Sequence, residues 1–133
     1  MITLVDSNVL LDLLTDDETW GLQSTAALAR AANEGRLAIN PIIYAEVSVR
    51  FGRIEDLEAA LPGDVFARLP LPWAAAFLAG KCFVRYRRAG GARRSPLADF
   101  YIGAHAAVDG LTLLTRDARR YRTYLPQVRI VTP

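Results

Sequence analysis

The sequence predicts an α/β domain with a central, mostly parallel sheet of four to five strands. Three observations predict it. Short apolar, β-branched runs recur along the chain, at 2–6 (ITLVD), 37–39 (LAI), 65–69 (VFARL), 111–115 (LTLLT) and 127–132 (QVRIVT). Segments of helical length separate them, and that alternation favours crossover connections between parallel strands. Finally, 133 residues that are 52% hydrophobic, with no internal repeat and no linker, suggest one domain over residues 1–133.

The elements follow in order. Residues 2–6 read as a buried strand ending in a carboxylate. Residues 7–14 (SNVLLDLL) form a short helix, with Ser7 or Asn8 as a cap. After the polar stretch TDDET at 15–19, an alanine-rich helix covers 19–33 and stops at Gly35. Pro41 starts a further helix (IIYAEVSVRF) that Gly52 ends. Another spans 54–61, ahead of Pro62 and Gly63. Pro72 opens a helix running to about residue 89, and a basic loop, GGARRSP, occupies 90–96. Residues 97–108 are helical up to Gly110. A short basic helix at 117–124 joins the last two strands.

Composition narrows the function classes. Cys82 is the single cysteine, which excludes an internal disulfide and a cysteine-built zinc cluster. No basic, apolar leader and no apolar stretch of membrane-spanning length is visible, so a cytoplasmic location and no membrane partner are expected. The net charge of +2 conceals a polarity. Residues 1–64 carry 11 acids and 4 bases, and residues 65–133 carry 3 acids and 12 bases. Fifteen of the sixteen bases are Arg. Arginine suits phosphate through its planar fork, although a compositional bias gives the same excess. Separation by sequence half points to charge-polarised surfaces.

Four acids stand out. Ligands of open parallel sheets bind beyond the carboxyl ends of the strands. Asp6 closes the first strand, and Asp117 lies two residues after LTLLT. Asp99 sits in the first turn of its helix. Glu46 interrupts an apolar helix, where a carboxylate is costly unless paired or bound to a metal. Each also has a structural reading. Asp6 can cap its helix, Asp99 can complement a helix dipole, Asp117 can be an N-cap, and Glu46 can pair with Arg50.

The surrounding residues resemble the PIN-domain family, most closely its VapC toxins. Asp6-Ser7-Asn8-Val9-Leu10-Leu11 resembles that family's first motif, and Ala45-Glu46-Val47 its second. Leu97-Ala98-Asp99-Phe100-Tyr101-Ile102-Gly103-Ala104-His105-Ala106 resembles the third, and Leu113-Leu114-Thr115-Arg116-Asp117 the fourth. One such motif is weak; four in order, from Asp6 to Asp117, are specific. The departures are Asp117, where many relatives carry Asn, and the loop with Gly90-Gly91 and Arg93-Arg94.

The resemblance implies a Rossmann-like three-layer α/β/α fold. It also implies a Mg²⁺ or Mn²⁺ site and hydrolysis of single-stranded or looped RNA, as by the toxin of a toxin–antitoxin pair. Asp6 and Asp99 would be the primary ligands, Glu46 a ligand or the group orienting water, and Asp117 an outer ligand. Hard cations take such oxygen donors. Ser7, Asn8 and Thr115 would orient the acids. Arg85, Arg87, Arg88, Arg93, Arg94 and Arg116 are RNA-binding candidates, with Tyr86 able to stack on a base; a solvated basic face is the plainer alternative. A cognate antitoxin and a homodimer are further implications, with the region of Leu10, Leu11 and Leu14 as a candidate groove for an antitoxin helix.

Other readings fit less well. His105, alone in an apolar helix, reads as packed or surface. Cys82 reads as core or half-buried, and Trp20, Trp73, Phe77 and Phe83 as core or interface. An aspartyl phosphatase would typically want an acid at position 8, where Asn8 stands, and the only lysine is Lys81. A dinucleotide fold needs glycines at 7–14, and there are none. Flap-type DNA nucleases carry extra helical elements for which the chain is short. A non-catalytic nucleic-acid or protein binding module on the same fold stays open.

Overall fold

In the computed structural model, which describes residues 1–91 and 96–133, the chain alternates strand and helix throughout. The elements are β1 (Ile2–Val5), α1 (Ser7–Leu14), α2 (Gly21–Glu34), β2 (Arg36–Ile39), α3 (Pro41–Ser48), α4 (Ile54–Ala60), β3 (Phe66–Arg68), α5 (Trp73–Arg88), α6 (Leu97–Asp109), β4 (Thr112–Leu114), α7 (Ala118–Tyr124) and β5 (Arg129–Val131). Helix α2 starts two residues later than the sequence suggests. The Asp17 carboxylate accepts from the backbone N–H groups of Thr19 and Trp20, which holds those residues in a turn.

All four strand pairings are parallel, in the order β3-β2-β1-β4-β5. The chain therefore winds outward from β1 in one direction, then crosses back to β4 and winds the other way. Right-handed crossovers place the two sets of helices on opposite faces, giving three layers. Helices α5, α6 and α7 pack together, as do α1 with α2 and α3 with α4. The core joins sheet residues Leu4, Val5, Ala38, Ile39, Leu113 and Leu114 to Val9, Ile43, Val47, Phe100 and Ile102.

Order reverses between β1 and β4, so the crevice at their carboxyl ends is the topological switch point. Asp6 follows β1 there, and Thr115 to Asp117 follow β4.

Two buried features of α6 fix this end of the molecule. Gly103 lies where an added Cβ would come within 2.5 Å of a Leu125 methyl and 2.8 Å of the Tyr121 ring. Its missing side chain lets the α7 segment close on α6. His105 is fully buried; its Nδ1 meets the Asn40 amide at 3.0 Å and its Nε2 meets Asp109 at 3.0 Å. Asn40 in turn caps α3, accepting from Ile43 N–H. With Nδ1 accepting, the imidazole is a neutral strut, and burial holds its pKa below the ordinary value.

Several sequence expectations change in three dimensions. Of the core and interface readings, Trp73 and Phe77 lose the first, being 91% and 69% exposed on α5. Leu10 is fully buried beneath α1, which removes it from the apolar surface expected there; Leu11 and Leu14 are only partly covered. Cys82 is buried as expected, its thiol near the Tyr124 carbonyl.

Gly103→Ala should destabilise the chain by about 1–3 kcal/mol, because the methyl overpacks a closed contact. Urea unfolding measures this, and a loss below about 0.5 kcal/mol would show that α6 and α7 are not closely packed at this point.

Candidate active site

Asp6 is the N-cap of α1 and is 2% exposed. One carboxylate oxygen accepts the Ser7 backbone N–H at 2.8 Å. The other accepts the Thr115 hydroxyl at 2.8 Å and the Tyr121 hydroxyl at 3.0 Å. The capping role read from sequence is real, yet it uses only one of the two oxygens.

Around this carboxylate the predicted neighbours assemble. Ser7 Oγ donates to Glu46 Oε1 at 2.9 Å, tying α1 to α3. Asn8 donates to Thr115 Oγ1 at 3.3 Å and accepts the Arg116 N–H at 3.1 Å. Thr115 Oγ1 also accepts the Asp117 N–H at 3.1 Å. Asn8 and Thr115 thus bind the loop after β4 to the start of α1, while Ser7 binds that start to α3. Asp117 stands at the N-cap position of α7 without a side-chain capping bond, and it is exposed. Asp99, in the first turn of α6, accepts Arg120 Nη1 at 2.6 Å.

Asp6, Glu46 and Asp99 are each perturbed by burial and by a neighbouring acid. Burial raises the Asp6 pKa and the charge of Asp99 raises it further, against the hydrogen bonds from Thr115, Tyr121 and Ser7. Glu46 is raised by burial and by the charges of Asp6 and Asp99. Asp99 is raised by burial, with Arg120 opposing and Asp117 adding to it. Burial and the neighbouring Asp6 push the Tyr121 phenol well above its ordinary value. Carboxyls that destabilise one another at neutral pH invite a cation.

The donor set suits a hard divalent ion, being oxygen throughout. Among the described residues, however, no three acidic, histidine or cysteine side chains stand close enough to hold one ion as placed. Asp99 is at the same time engaged by Arg120.

The expected RNA-binding arginines divide. Arg85, Arg87 and Arg88 are exposed in the last turn of α5, with Arg85 over the Tyr124 ring and Arg87 over Phe83. Arg116 pairs through Nε with the buried Asp12 carboxylate at 2.9 Å and lies over Trp20. Arg93 and Arg94 lie outside the described residues. Tyr86 packs edge-on against Phe100 and Tyr124.

Sequence reasoning missed Tyr121 and the particular role of Arg120. A signal existed for Tyr121, since it shares an apolar face with Ala118 in an otherwise basic helix. Nothing in the sequence pairs Arg120 with Asp99.

The fold and site define an α/β domain with a buried carboxylate, Asp6, at the switch point of its parallel sheet and the partly buried carboxylates Glu46 and Asp99 close enough to perturb it or be perturbed by it. More particularly, the chain belongs to the PIN domain family, which matches residues 3–125. No curated protein matches it. Its fold is similar to a chain of VapBC2 from Rickettsia felis bound to a promoter DNA fragment, with TM-score 0.76, 17% identity and coverage of 100% and 99% of the two chains. VapBC-1 from nontypeable Haemophilus influenzae gives 0.75 at 18% identity, covering 99% and 98%. FitAcB from Neisseria gonorrhoeae gives 0.69 at 22%, covering 98% and 96%.

Glu46 supplies a pH test. A raised carboxyl contributes stability below its unfolded pKa, and loses it as pH rises through the folded one. In EDTA at pH 8, Glu46→Gln keeps the Ser7 hydrogen bond and should melt about 2–5 °C above the parent. The difference should vanish below about pH 4.5. Equal melting temperatures at pH 8 would mean that the charge at this position costs nothing.

Proposed function

We propose that the chain is a metal-dependent endoribonuclease, the toxin of a toxin–antitoxin pair, hydrolysing phosphodiester bonds in single-stranded or looped RNA. The observation that carries this is the buried Asp6 carboxylate joined through shared hydroxyls and charge to Glu46, Asp99 and Asp117. Membership of the PIN domain family and a fold like that of a chain in toxin–antitoxin structures support it.

Asp6 and Asp99 would hold a Mg²⁺ or Mn²⁺ ion, with Glu46 beside it and Asp117 further out. The ion supplies Lewis acidity and a water acidified enough to attack phosphorus at neutral pH. The chain's residues do the rest. Thr115, Tyr121 and the Ser7 N–H fix the Asp6 oxygens in one orientation. Ser7 aims Glu46, whose raised pKa suits it to accept a proton from the attacking water. As the new P–O bond forms, the bond to the leaving ribose oxygen breaks. Exposed arginines at the end of α5 offer the phosphate contacts.

A nuclease of this kind needs restraint. A cognate antitoxin laying a helix on the molecule, and assembly as a homodimer, complete the proposal. Among the described residues no helix is long and apolar enough to cross a membrane.

Purified protein freed of any co-purifying partner should cleave RNA with Mg²⁺ or Mn²⁺ and not with EDTA. Asp6→Asn and Asp99→Asn should each lower the rate more than about a hundredfold. Cleavage that survives both substitutions would sink the assignment. Absence of both cleavage and metal binding would favour a binding module on the same fold.

A further inference from the structure

The acidic site carries a cation of its own. Arg120, in the middle of α7, donates to Asp99 across a pair whose side chains are 34% and 29% exposed. Its guanidinium also sits 6.0 Å from the centre of the Tyr86 ring. Tyr86 is wedged edge-on between Phe100 and Tyr124, so the surface under the guanidinium is fixed. Arg120 further lines an open, polar concavity of about 310 Å³, shared with Asp117, Arg119, Thr123 and Tyr124.

Its position differs from those of the neighbouring arginines. Arg116 is held by the buried Asp12 carboxylate. Arg119 is exposed and lines the same concavity; among the described residues its side chain makes no bond to Asp99. Among the described arginines, Arg120 is the one that both bonds a site acid and lines the concavity, which Asp117 also borders. Arg120 occupies the Asp99 Oδ2 oxygen. An ion shared by Asp6 and Asp99 would meet the guanidinium there. A guanidinium released there would be a planar, multiply donating group beside a second arginine, which is phosphate-binding chemistry.

We propose that Arg120 exchanges partners. It holds Asp99 in the ion-free chain, and passes to a phosphodiester of the RNA in the concavity beside Arg119 when a divalent cation takes Asp99. This rests on the acidic-site reading above and adds to it a phosphate subsite and the residue that links the two.

The test is Mn²⁺ titration calorimetry on the full, ion-free chain at pH 7.5, paired with RNA binding. The parent should bind Mn²⁺. Arg120→Ala should bind it about 3–10-fold more tightly, because the competing cation is gone. Arg119→Ala should stay within about twofold, since its charge acts only through screened solvent. Arg120→Lys, which keeps the charge, should fall between parent and Arg120→Ala. In the second arm, a short single-stranded RNA is titrated across salt concentrations with Ca²⁺ as the bound ion. Arg120→Ala should lower the logarithmic salt slope by about 0.7. In EDTA the slope should not change, because Arg120 is then on Asp99. Unchanged or weaker Mn²⁺ binding by Arg120→Ala would overturn the exchange and leave the acidic site standing. An equal slope loss with Ca²⁺ and with EDTA would overturn it too. A parent that binds no Mn²⁺ would overturn both the exchange and the site.

Discussion

Burying a carboxylate at the end of a parallel strand costs free energy unless something holds it, and much of this molecule is arranged around that cost. Asp6 gathers one backbone N–H and two hydroxyls from three separate segments. Thr115 reaches it because β4 pairs directly with β1, and Tyr121 because α7 closes onto α6 at Gly103. The hydrogen bonds offset part of the desolvation without removing it, so the carboxyl stays raised.

The same tension explains the long-range polar links. Ser7 and Asn8 follow Asp6 directly and bond outward to α3 and to the loop after β4. The position of Asp6 therefore sets where Glu46 and Asp117 stand. His105 and Asn40 perform a quieter version of this task, fixing the start of α3 from inside α6. The polarity seen along the sequence also acquires a meaning. Arg116 of the second half crosses to Asp12 of the first, while Arg120 pairs within its own half, with Asp99. The excess of positive charge is not one uniform surface. Part of it is held in ion pairs with Asp12 and Asp99, and part stays exposed at the end of α5.

Membership of the PIN domain family accounts for the scaffold and the order of the acids. The arrangement at Asp99 belongs to this chain's own residues. A guanidinium about one third exposed sits on the Asp99 carboxylate, and that pairing is what the proposed exchange uses.

The sequence by itself determined the element order, the parallel sheet and the four acids, because each has a local signature. Strand runs, helix stops and a carboxylate at a strand end can be read within a few residues. It also offered Ser7, Asn8 and Thr115 as groups orienting the acids, through motifs carried by neighbouring positions; Ser7 and Thr115 bond Glu46 and Asp6 directly, and Asn8 reaches Asp6 only through Thr115. The tertiary structure alone decided the rest. That Tyr121 bonds Asp6 depends on a packing contact 115 residues apart in the chain. That Arg116 turns to Asp12 while Arg120 turns to Asp99 depends on which face of each element meets the other. Such choices are made by geometry between distant segments, and basic residues crowded into positions 116–122 look alike until the fold gives each a different neighbour.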